Sequence, residues 1–299
     1  MKIIVCIFAF NRPVHLEKLF NSIIQSQFIE YDFPINLFYD GPRSKSDLAA
    51  IESTRNVVVP FKNVNFHYSD RNKGLARSII SGVSKTFYND GADAIIVLED
   101  DLIVAKDFFK LIKSALDFYA LDPAIGSVTG FSYRPINSQH DFYLSKRFMS
   151  WGWATWRDRW EDVVWDSSLV FKLMCRLGVS QSGGDDLVEM FDLQRLKKLD
   201  SWAIIFAGYH LIHSKYCVYP TYTRVLNKGF DDSGTHCRST GQIDSDDNFN
   251  VPGILTTQEY SFPTVFEYKI WERQLEYYSS KNITLIRKLI RWIMRIYVR

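Results

Sequence analysis

One stretch constrains the fold more than any other. Ile95-Ile96-Val97-Leu98 runs straight into Glu99-Asp100-Asp101, and Leu102 resumes the apolar pattern. Four consecutive apolar residues, three of them β-branched, read as a short buried strand. A strand ending in adjacent acids places them at the carboxyl edge of a sheet, where open α/β folds bind ligands. Packed carboxylates repel one another unless a cation lies among them, and hard divalent ions prefer oxygen ligands. A solvated acidic turn after a strand would satisfy the same residues, so the flanking chain has to decide between the two.

The flanking chain alternates strands and helices. Lys2 to Phe10 reads as a strand, and Pro13 suits the first turn of a helix with Asn11 as its cap. Leu16, Leu19, Phe20, Ile23 and Ile24 then recur at helical spacing. Ile35 to Tyr39 is a second strand, ending at the turn Asp40-Gly41-Pro42, and Ser44 to Arg55 reads as a helix. Val64 to Tyr68 is a third strand, stopped by Asp70-Arg71-Asn72-Lys73-Gly74. Leu75, Ile79, Val83 and Phe87 mark the next helix. After the acidic strand comes a helix through Phe108, Ile112, Leu116 and Tyr119. This order predicts an α/β fold, a mostly parallel sheet with helices on both faces. Neither a GxGxxG fingerprint nor a GxxxxGK[ST] loop occurs, so whatever binds here is not held by a glycine-rich phosphate loop.

The second half is less regular. Ile125 to Phe131 and Phe142 to Phe148 read as strands, followed by Ser150-Trp151-Gly152-Trp153-Ala154-Thr155-Trp156, with Trp160 and Trp165 close behind. Gly178 to Asp186 is a polar loop, and Asp200-Ser201-Trp202 opens a helix through Ile204, Ile205, Tyr209 and Leu211. Tyr216 to Tyr219 is a strand, and Asn227 to Gly241 a polar loop. Hydrophobic residues make up 46% of the chain, ample for a core. Aromatics reach 15%, which suits either a large core or a sugar-binding cleft built on flat ring faces. A net charge of +2 argues against a dedicated nucleic-acid binder. Cys6, Cys175, Cys217 and Cys237 are scattered and read as reduced thiols. Met1 to Phe10 is short, lacks a small-residue cleavage site and is taken as the first strand, and no stretch is long enough to span a membrane. Arg287, Arg291, Arg295 and Arg299 fall four apart among apolar residues, the pattern of a basic amphipathic helix that lies on an anionic membrane surface. The expected protein is cytoplasmic, peripheral at the inner face of the cytoplasmic membrane.

With these residues in hand the chain resembles the GT-A glycosyltransferases. Phe10-Asn11-Arg12-Pro13, Asp40 and Asp70-Arg71-Asn72-Lys73-Gly74-Leu75-Ala76-Arg77 look like the nucleotide-sugar half of bacterial surface-polysaccharide sugar transferases. Leu98-Glu99-Asp100-Asp101-Leu102, with Ala105-Lys106-Asp107-Phe108-Phe109 behind it, is similar to the N-acetylglucosaminyltransferase I family, in which a Glu-Asp-Asp triplet stands where most GT-A enzymes carry Asp-x-Asp. The likeness continues more loosely to about His236. It implies a GT-A (Rossmann-like) domain over 1–258, with a nucleotide-sugar half at 1–122 and an irregular acceptor half at 123–258. Residues 259–299 form a helical tail.

The resemblance also implies roles. Asp101 would hold a divalent ion, Mn2+ or Mg2+, with His236 as a further contact. Phe10, Asn11, Arg12, Asp40, Asn72, Arg77, Glu99 and Asp100 would bind the donor. Trp151, Trp153 and Trp202 would form the acceptor platform, with Trp156, Trp160 and Trp165 in the core. Asp200 matches the family's catalytic base, although Ser201 stands where the eukaryotic enzymes have a second Asp. Asp158, Glu161 and Asp162 read as a charged helical surface, and Asp231 and Asp232 as part of a loop over the donor. The activity implied is metal-dependent, inverting transfer of a sugar from a nucleotide-sugar donor, with UDP as its nucleotide, to a saccharide acceptor. That acceptor would be lipid-linked, in bacterial lipopolysaccharide, O-antigen or capsule synthesis. A nucleotidyltransferase would normally carry a glycine-rich basic loop after the first strand. A carbohydrate-binding module rarely needs three adjacent acids or an alternating α/β pattern.

Overall fold

The computed structural model describes residues 1–133, 135–229 and 259–278. Its main sheet has eight strands: β1 (Ile3–Ala9), β2 (Ile35–Tyr39), β3 (Val64–Tyr68), β4 (Ala94–Glu99), β6 (Ile125–Thr129), β7 (Phe142–Ser145), β8 (Trp153–Trp156) and β9 (Tyr216–Pro220). They lie in the order β3-β2-β1-β4-β8-β6-β9-β7. β3, β2, β1 and β4 are parallel neighbours. β8 runs antiparallel between β4 and β6, β6 is parallel to β9, and β7 closes the far edge antiparallel to β9. Only β7 and β8 oppose the common direction, so the mostly parallel α/β sheet expected from the alternation is present. One sheet runs through both the 1–122 and 123–258 halves.

Period-two alternation in buried strands feeds two cores. Ile3, Val5, Ile7 and Ala9 of β1, with Ala94, Ile96 and Leu98 of β4, face α1 (Pro13–Gln25) and α4 (Phe108–Phe118). Ile4, Cys6 and Phe8, with Ile95 and Val97, face α3 (Leu75–Tyr88) on the other side. That second face also takes α6 (Ser167–Arg176), α7 (Asp185–Arg195) and α8 (Trp202–Ile212). Each Ile, Val, Leu or Phe among them contributes about 1.5–3 kcal/mol on burial, which is why β1 and β4 tolerate no polar interruption until Glu99. α1 starts at Pro13, but Arg12 rather than Asn11 takes the cap position. The expected helix from Ser44 opens instead as a single 3-10 turn, Lys45–Asp47, because Asp47 accepts hydrogen bonds from the Arg43 backbone and side chain; α2 proper is Leu48–Arg55.

The tryptophan segment forms β8, followed by the short α5 (Arg157–Glu161). This overturns part of the acceptor platform. Trp153 is 0% exposed and Trp202 2%; their rings lie 4.9 Å apart, with Phe148 and Trp160 against Trp153. Neither has a ring face left for a saccharide, because Trp153 of β8 and Trp202 of the covering α8 use their aromatic faces on one another and on neighbouring rings. Trp151 is half-buried, edge-on to Phe131 at 4.5 Å. Trp156 and Trp160 are core residues, as expected, and Trp165 packs against that core.

A two-stranded ribbon pairs β5 (Leu102–Val104) with β10 (Val225–Asn227). α9 (Tyr268–Tyr278) returns to the sheet, where Tyr278 meets the Tyr219 hydroxyl at 3.2 Å and Gln274 donates to Tyr143 at 3.0 Å. The tail expected at 259–299 is therefore docked over its described part; the arginine-bearing segment from Arg287 to Arg299 lies outside the described residues. Among the described residues no helix is long and apolar enough to cross a membrane. Trp153→Ala should cost about 3–5 kcal/mol of stability, the range for truncating a buried aromatic, read from urea denaturation; a platform residue would leave the midpoint unmoved.

Candidate active site

Glu99 ends β4, and Asp100 and Asp101 form the turn that leads into β5. The Asp100 backbone N–H donates to Phe8 O at 3.0 Å, extending the β1–β4 ladder by one step. Asp100 is buried and accepts from Phe10 N at 3.3 Å. Its other oxygen is paired with Arg12 Nη2, while Arg12 Nη1 reaches Asp101 Oδ2 at 3.0 Å. One guanidinium thus bridges both aspartates, and its planar fork of donors is suited to that task. Burial works against the Arg12 charge, but Asp100 and then Asp101 outweigh it and hold the guanidinium pKa above its ordinary value. Burial, then repulsion from Asp101 and Asp100, pushes Glu99 up to about 8. Burial raises Asp100 to about 6, with Arg12 pulling it back down.

The loop between β3 and α3 is tied to the end of β2 by Asp40. Its carboxylate accepts from Gly41 N at 2.8 Å, Asn72 Nδ2 at 3.0 Å, Lys73 N at 2.9 Å and Gly74 N at 3.1 Å. Asp40 therefore shapes the wall of the site by holding its loop. Gly74 takes φ +77°, a left-handed conformation that turns the chain into α3. A cleft of about 530 Å³ opens here at the carboxyl edge of the parallel strands. Phe10, Arg12, Asp40, Asn72, Glu99 and Asp100 all line it. Asp101 stands beside them through its pair with Arg12; its carbonyl accepts from Lys228 N at 2.9 Å, and Gly229 lies directly against its carboxylate.

Asp200 comes from a distant part of the chain to the neighbourhood of Gly74, outside the lining of the cleft itself. It is exposed, two residues before α8, and a Cβ placed on Gly74 would lie 4.0 Å from its Oδ2. Two donor residues do not reach the cleft wall. Arg77 is exposed on the first turn of α3, whose cleft-facing positions are Leu75, Ser78, Ser81, Gly82 and Lys85; helical periodicity turns residue 77 away. Asn11, between the inward-facing Phe10 and Arg12, also stays out of the lining. His236, Asp231 and Asp232 lie outside the described residues. Asp158 pairs with Arg159, consistent with a charged helical surface. Sequence reasoning missed Arg43, which stacks over the Phe10 ring at 4.9 Å, and the His67, Ser78, Ser81 and Lys85 part of the lining. The α3 residues were legible as the polar stripe opposite the apolar one; His67, a lone histidine in a short strand, carried no signal.

The donor set suits a hard cation, since every side-chain ligand offered by Glu99, Asp100 and Asp101 is a carboxylate oxygen. Among the described residues no three ligating side chains converge on one point. A divalent ion would therefore take one or two carboxylates and complete its shell with phosphate oxygens and water, the usual arrangement for ions that stay partly hydrated. Asp101, with a side chain 12% exposed against 3% for Asp100, is the more accessible of the two carboxylates.

No protein-family model matches the chain, and no curated protein matches it. Among solved structures, S. aureus TarS 1-349 aligns with a TM-score of 0.43 at 12% identity, over 78% of this chain and 62% of that one. The mannosyltransferase PcManGT from Pyrobaculum calidifontis, in complex with GDP-Man and Mn2+, aligns with a TM-score of 0.41 at 13% identity, over 70% and 69% of the two chains. GalNAc-T7 with UDP, GalNAc and Mn2+ aligns with a TM-score of 0.44 at 13% identity, over 75% and 43%. The chain thus spans about three fifths of TarS 1-349.

Removing Arg12 leaves two aspartates without their counter-charge. Arg12→Ala should lose about 3–5 kcal/mol in urea denaturation, as when one partner of a buried pair is deleted, and adding Asp100→Asn should recover part of it. The raised Glu99 and Asp100 pKa values fix a pH trend as well. Between the ordinary carboxylate range and about 8 the folded state holds protons that the unfolded chain has released, so stability falls as pH rises through that window. In melting curves without divalent cation, Glu99→Gln should flatten that decline.

Proposed function

We propose that this protein is a metal-dependent, inverting glycosyltransferase that moves a hexose or N-acetylhexosamine from a nucleotide-diphosphate donor to a saccharide acceptor. The observation that carries the reading is the Glu99-Asp100-Asp101 cluster with Arg12 at the carboxyl edge of the sheet, beside the cleft; the exposed Asp200 carboxylate, near Gly74 of the cleft wall, is taken as the base. The resemblance of the triplet and of the Asp200-Ser201-Trp202 helix start to N-acetylglucosaminyltransferase I supports the same assignment of roles.

In this reading Asp101 holds the divalent ion, which when bound stabilises the charge that develops on the departing diphosphate. Arg12 stays beside the acids and adds a fixed positive charge facing the same oxygens. Asp40 keeps the Asn72–Gly74 loop in place as the wall of the nucleotide pocket. The acceptor hydroxyl oxygen forms a bond to the anomeric carbon as the bond from that carbon to the phosphate oxygen breaks, its electron pair leaving with the diphosphate. Asp200 takes the hydroxyl proton. With base and leaving group on opposite faces of the sugar, one displacement inverts the anomeric centre. Burial of Trp153 and Trp202 leaves Trp151 as the remaining aromatic of the acceptor side. The resemblance to surface-polysaccharide transferases, with the basic pattern from Arg287 to Arg299, favours a lipid-linked acceptor at an anionic membrane surface and a 1–258 catalytic unit followed by a docking tail.

A panel of UDP-, GDP- and CMP-sugars, incubated with and without Mn2+ and assayed for free nucleotide, tests this directly. One donor should turn over only with metal; no metal-dependent turnover of any donor overturns the proposal. Asp101→Ala should abolish turnover. Asp200→Asn should lower kcat by about 10²–10⁴-fold, the usual worth of a general base, while nucleotide affinity stays at the wild-type value.

A further inference from the structure

After Asp101 the chain enters the β5–β10 ribbon, and at the far end of that ribbon lies a charged pair that the proposed reaction does not use. Arg224 and Asp107 are both buried, with Arg224 Nε on the Asp107 carboxylate at 2.9 Å. Arg224 Nη1 donates to Tyr222 O at 2.8 Å, and the Tyr260 hydroxyl donates to Asp107 Oδ2 at 3.1 Å. A buried ion pair is often no more stabilising than apolar residues of similar volume, and its best-attested use is to fix a register. This pair stands where a register has to be fixed.

The ribbon has three paired positions: Leu102 with Asn227, Ile103 with Leu226 and Val104 with Val225. A two-stranded ribbon is at best marginally stable by itself, so what holds its ends decides how it pairs. At one end Arg224 is fixed by its backbone as well as its side chain. Its N–H donates to Gly130 O at 2.6 Å, and its carbonyl accepts from Ala105 N at 2.9 Å. At the other end Lys228 N donates to Asp101 O at 2.9 Å, and Gly229 follows. A Cβ on Gly229 would collide with Asp101 Oδ2, so the carboxylate uses space that only a glycine leaves open. A slip of β10 by one residue in either direction would take Lys228 N off the Asp101 carbonyl. It would also replace Gly229 by a neighbour that carries a side chain.

We infer that Arg224 and Asp107 are positioning residues for the Asp101 carboxylate: they lock the register of the β5–β10 ribbon so that Gly229, and no side chain, stands against it. This rests on the reading of Asp101 as the residue that holds the divalent ion, and deepens it. The Asp101 carboxylate has to satisfy Arg12, at 3.0 Å, and an ion together, which leaves little freedom in where it points. Groups that orient a metal ligand from behind are typically worth about 10–100-fold in metal affinity. The pair acts at a distance of three ribbon positions, through the backbone, and touches neither ion nor donor.

The experiment measures Mn2+ affinity in the presence of inorganic pyrophosphate, from the electron paramagnetic resonance signal of free Mn2+, alongside melting curves. The proteins are wild type, Asp101→Ala, Asp107→Asn, Arg224→Met combined with Asp107→Leu, and Gly229→Ala. Met174→Ala is the control, a truncation in the core on the opposite face of the sheet from the ribbon. Both pair variants and Gly229→Ala should lose about 10–100-fold in Mn2+ affinity at a temperature where they remain folded. Met174→Ala should melt earlier and bind as wild type does, which is also what a merely structural role for the pair would give. Folded pair variants that bind Mn2+ like wild type therefore overturn the inference and leave the Asp101 reading standing. Should the pair variants not fold, Gly229→Ala decides: wild-type affinity there overturns the inference, and weakened binding supports it. Wild type that binds no Mn2+, or Asp101→Ala that binds it equally well, overturns the reading of Asp101 and this inference with it.

Discussion

The guanidinium of Arg12 between Asp100 and Asp101 is the contact on which the rest of the site depends. Two adjacent aspartates at the end of a buried strand repel each other, and one of them has lost nearly all its water. A charge in that position survives only when paired and hydrogen-bonded. Arg12 follows β1 directly and the aspartates follow β4 directly, and those strands are neighbours with Phe8 opposite Glu99. The pair therefore closes the gap where two central strands leave the sheet. It also fixes where α1 begins, since Arg12 is that helix's cap residue. Asp40 does the equivalent work one strand over, by gathering backbone N–H groups of the 72–74 loop. Both crossovers that frame the cleft are thus held by charge-assisted bonds rather than by apolar packing, which leaves polar groups at the cleft wall.

Asp200 owes its place to the aromatic core. Trp202, the first residue of α8, is packed among Trp153, Phe148 and Phe206, and α8 lies against α3. Trp153 belongs to β8, the antiparallel strand inserted beside β4. The insertion carries the sheet past the acid cluster and brings the start of α8 back to the head of α3. The tryptophans that looked like a sugar platform hence act two residues away, by positioning a carboxylate that itself remains in solvent.

The first half of the fold was legible because each element announced itself locally. Apolar runs such as Ile95–Leu98 and stripes such as Leu75, Ile79, Val83 and Phe87 have the right period, and Gly and Pro punctuate them. The acid cluster was legible for the same reason, its residues being adjacent in sequence. β8 was not, because Trp-Ala-Thr-Trp is too short to show a period and its partners lie far away in the chain. Tryptophan also has two uses, and sequence alone does not say whether its faces meet a ligand or other rings. Arg12 was placed in the pocket from a resemblance, but its bridging of two aspartates is a through-space fact. His67 carried no signal of its own: its place in the cleft wall exists only once three strands are laid side by side in register.

Glu99 shows what the fold gives up to hold this site. Its carboxyl sits at the end of an otherwise apolar strand, in the wall of the cleft, where burial and two neighbouring aspartates oppose its ionisation. Arg12 offsets part of this, but its two bonds are already spent on Asp100 and Asp101. Glu99 therefore keeps its proton up to about pH 8, and its ionisation above that works against the fold. A cation held by these acids would supply positive charge there, and stability of the sheet edge would then rise with it.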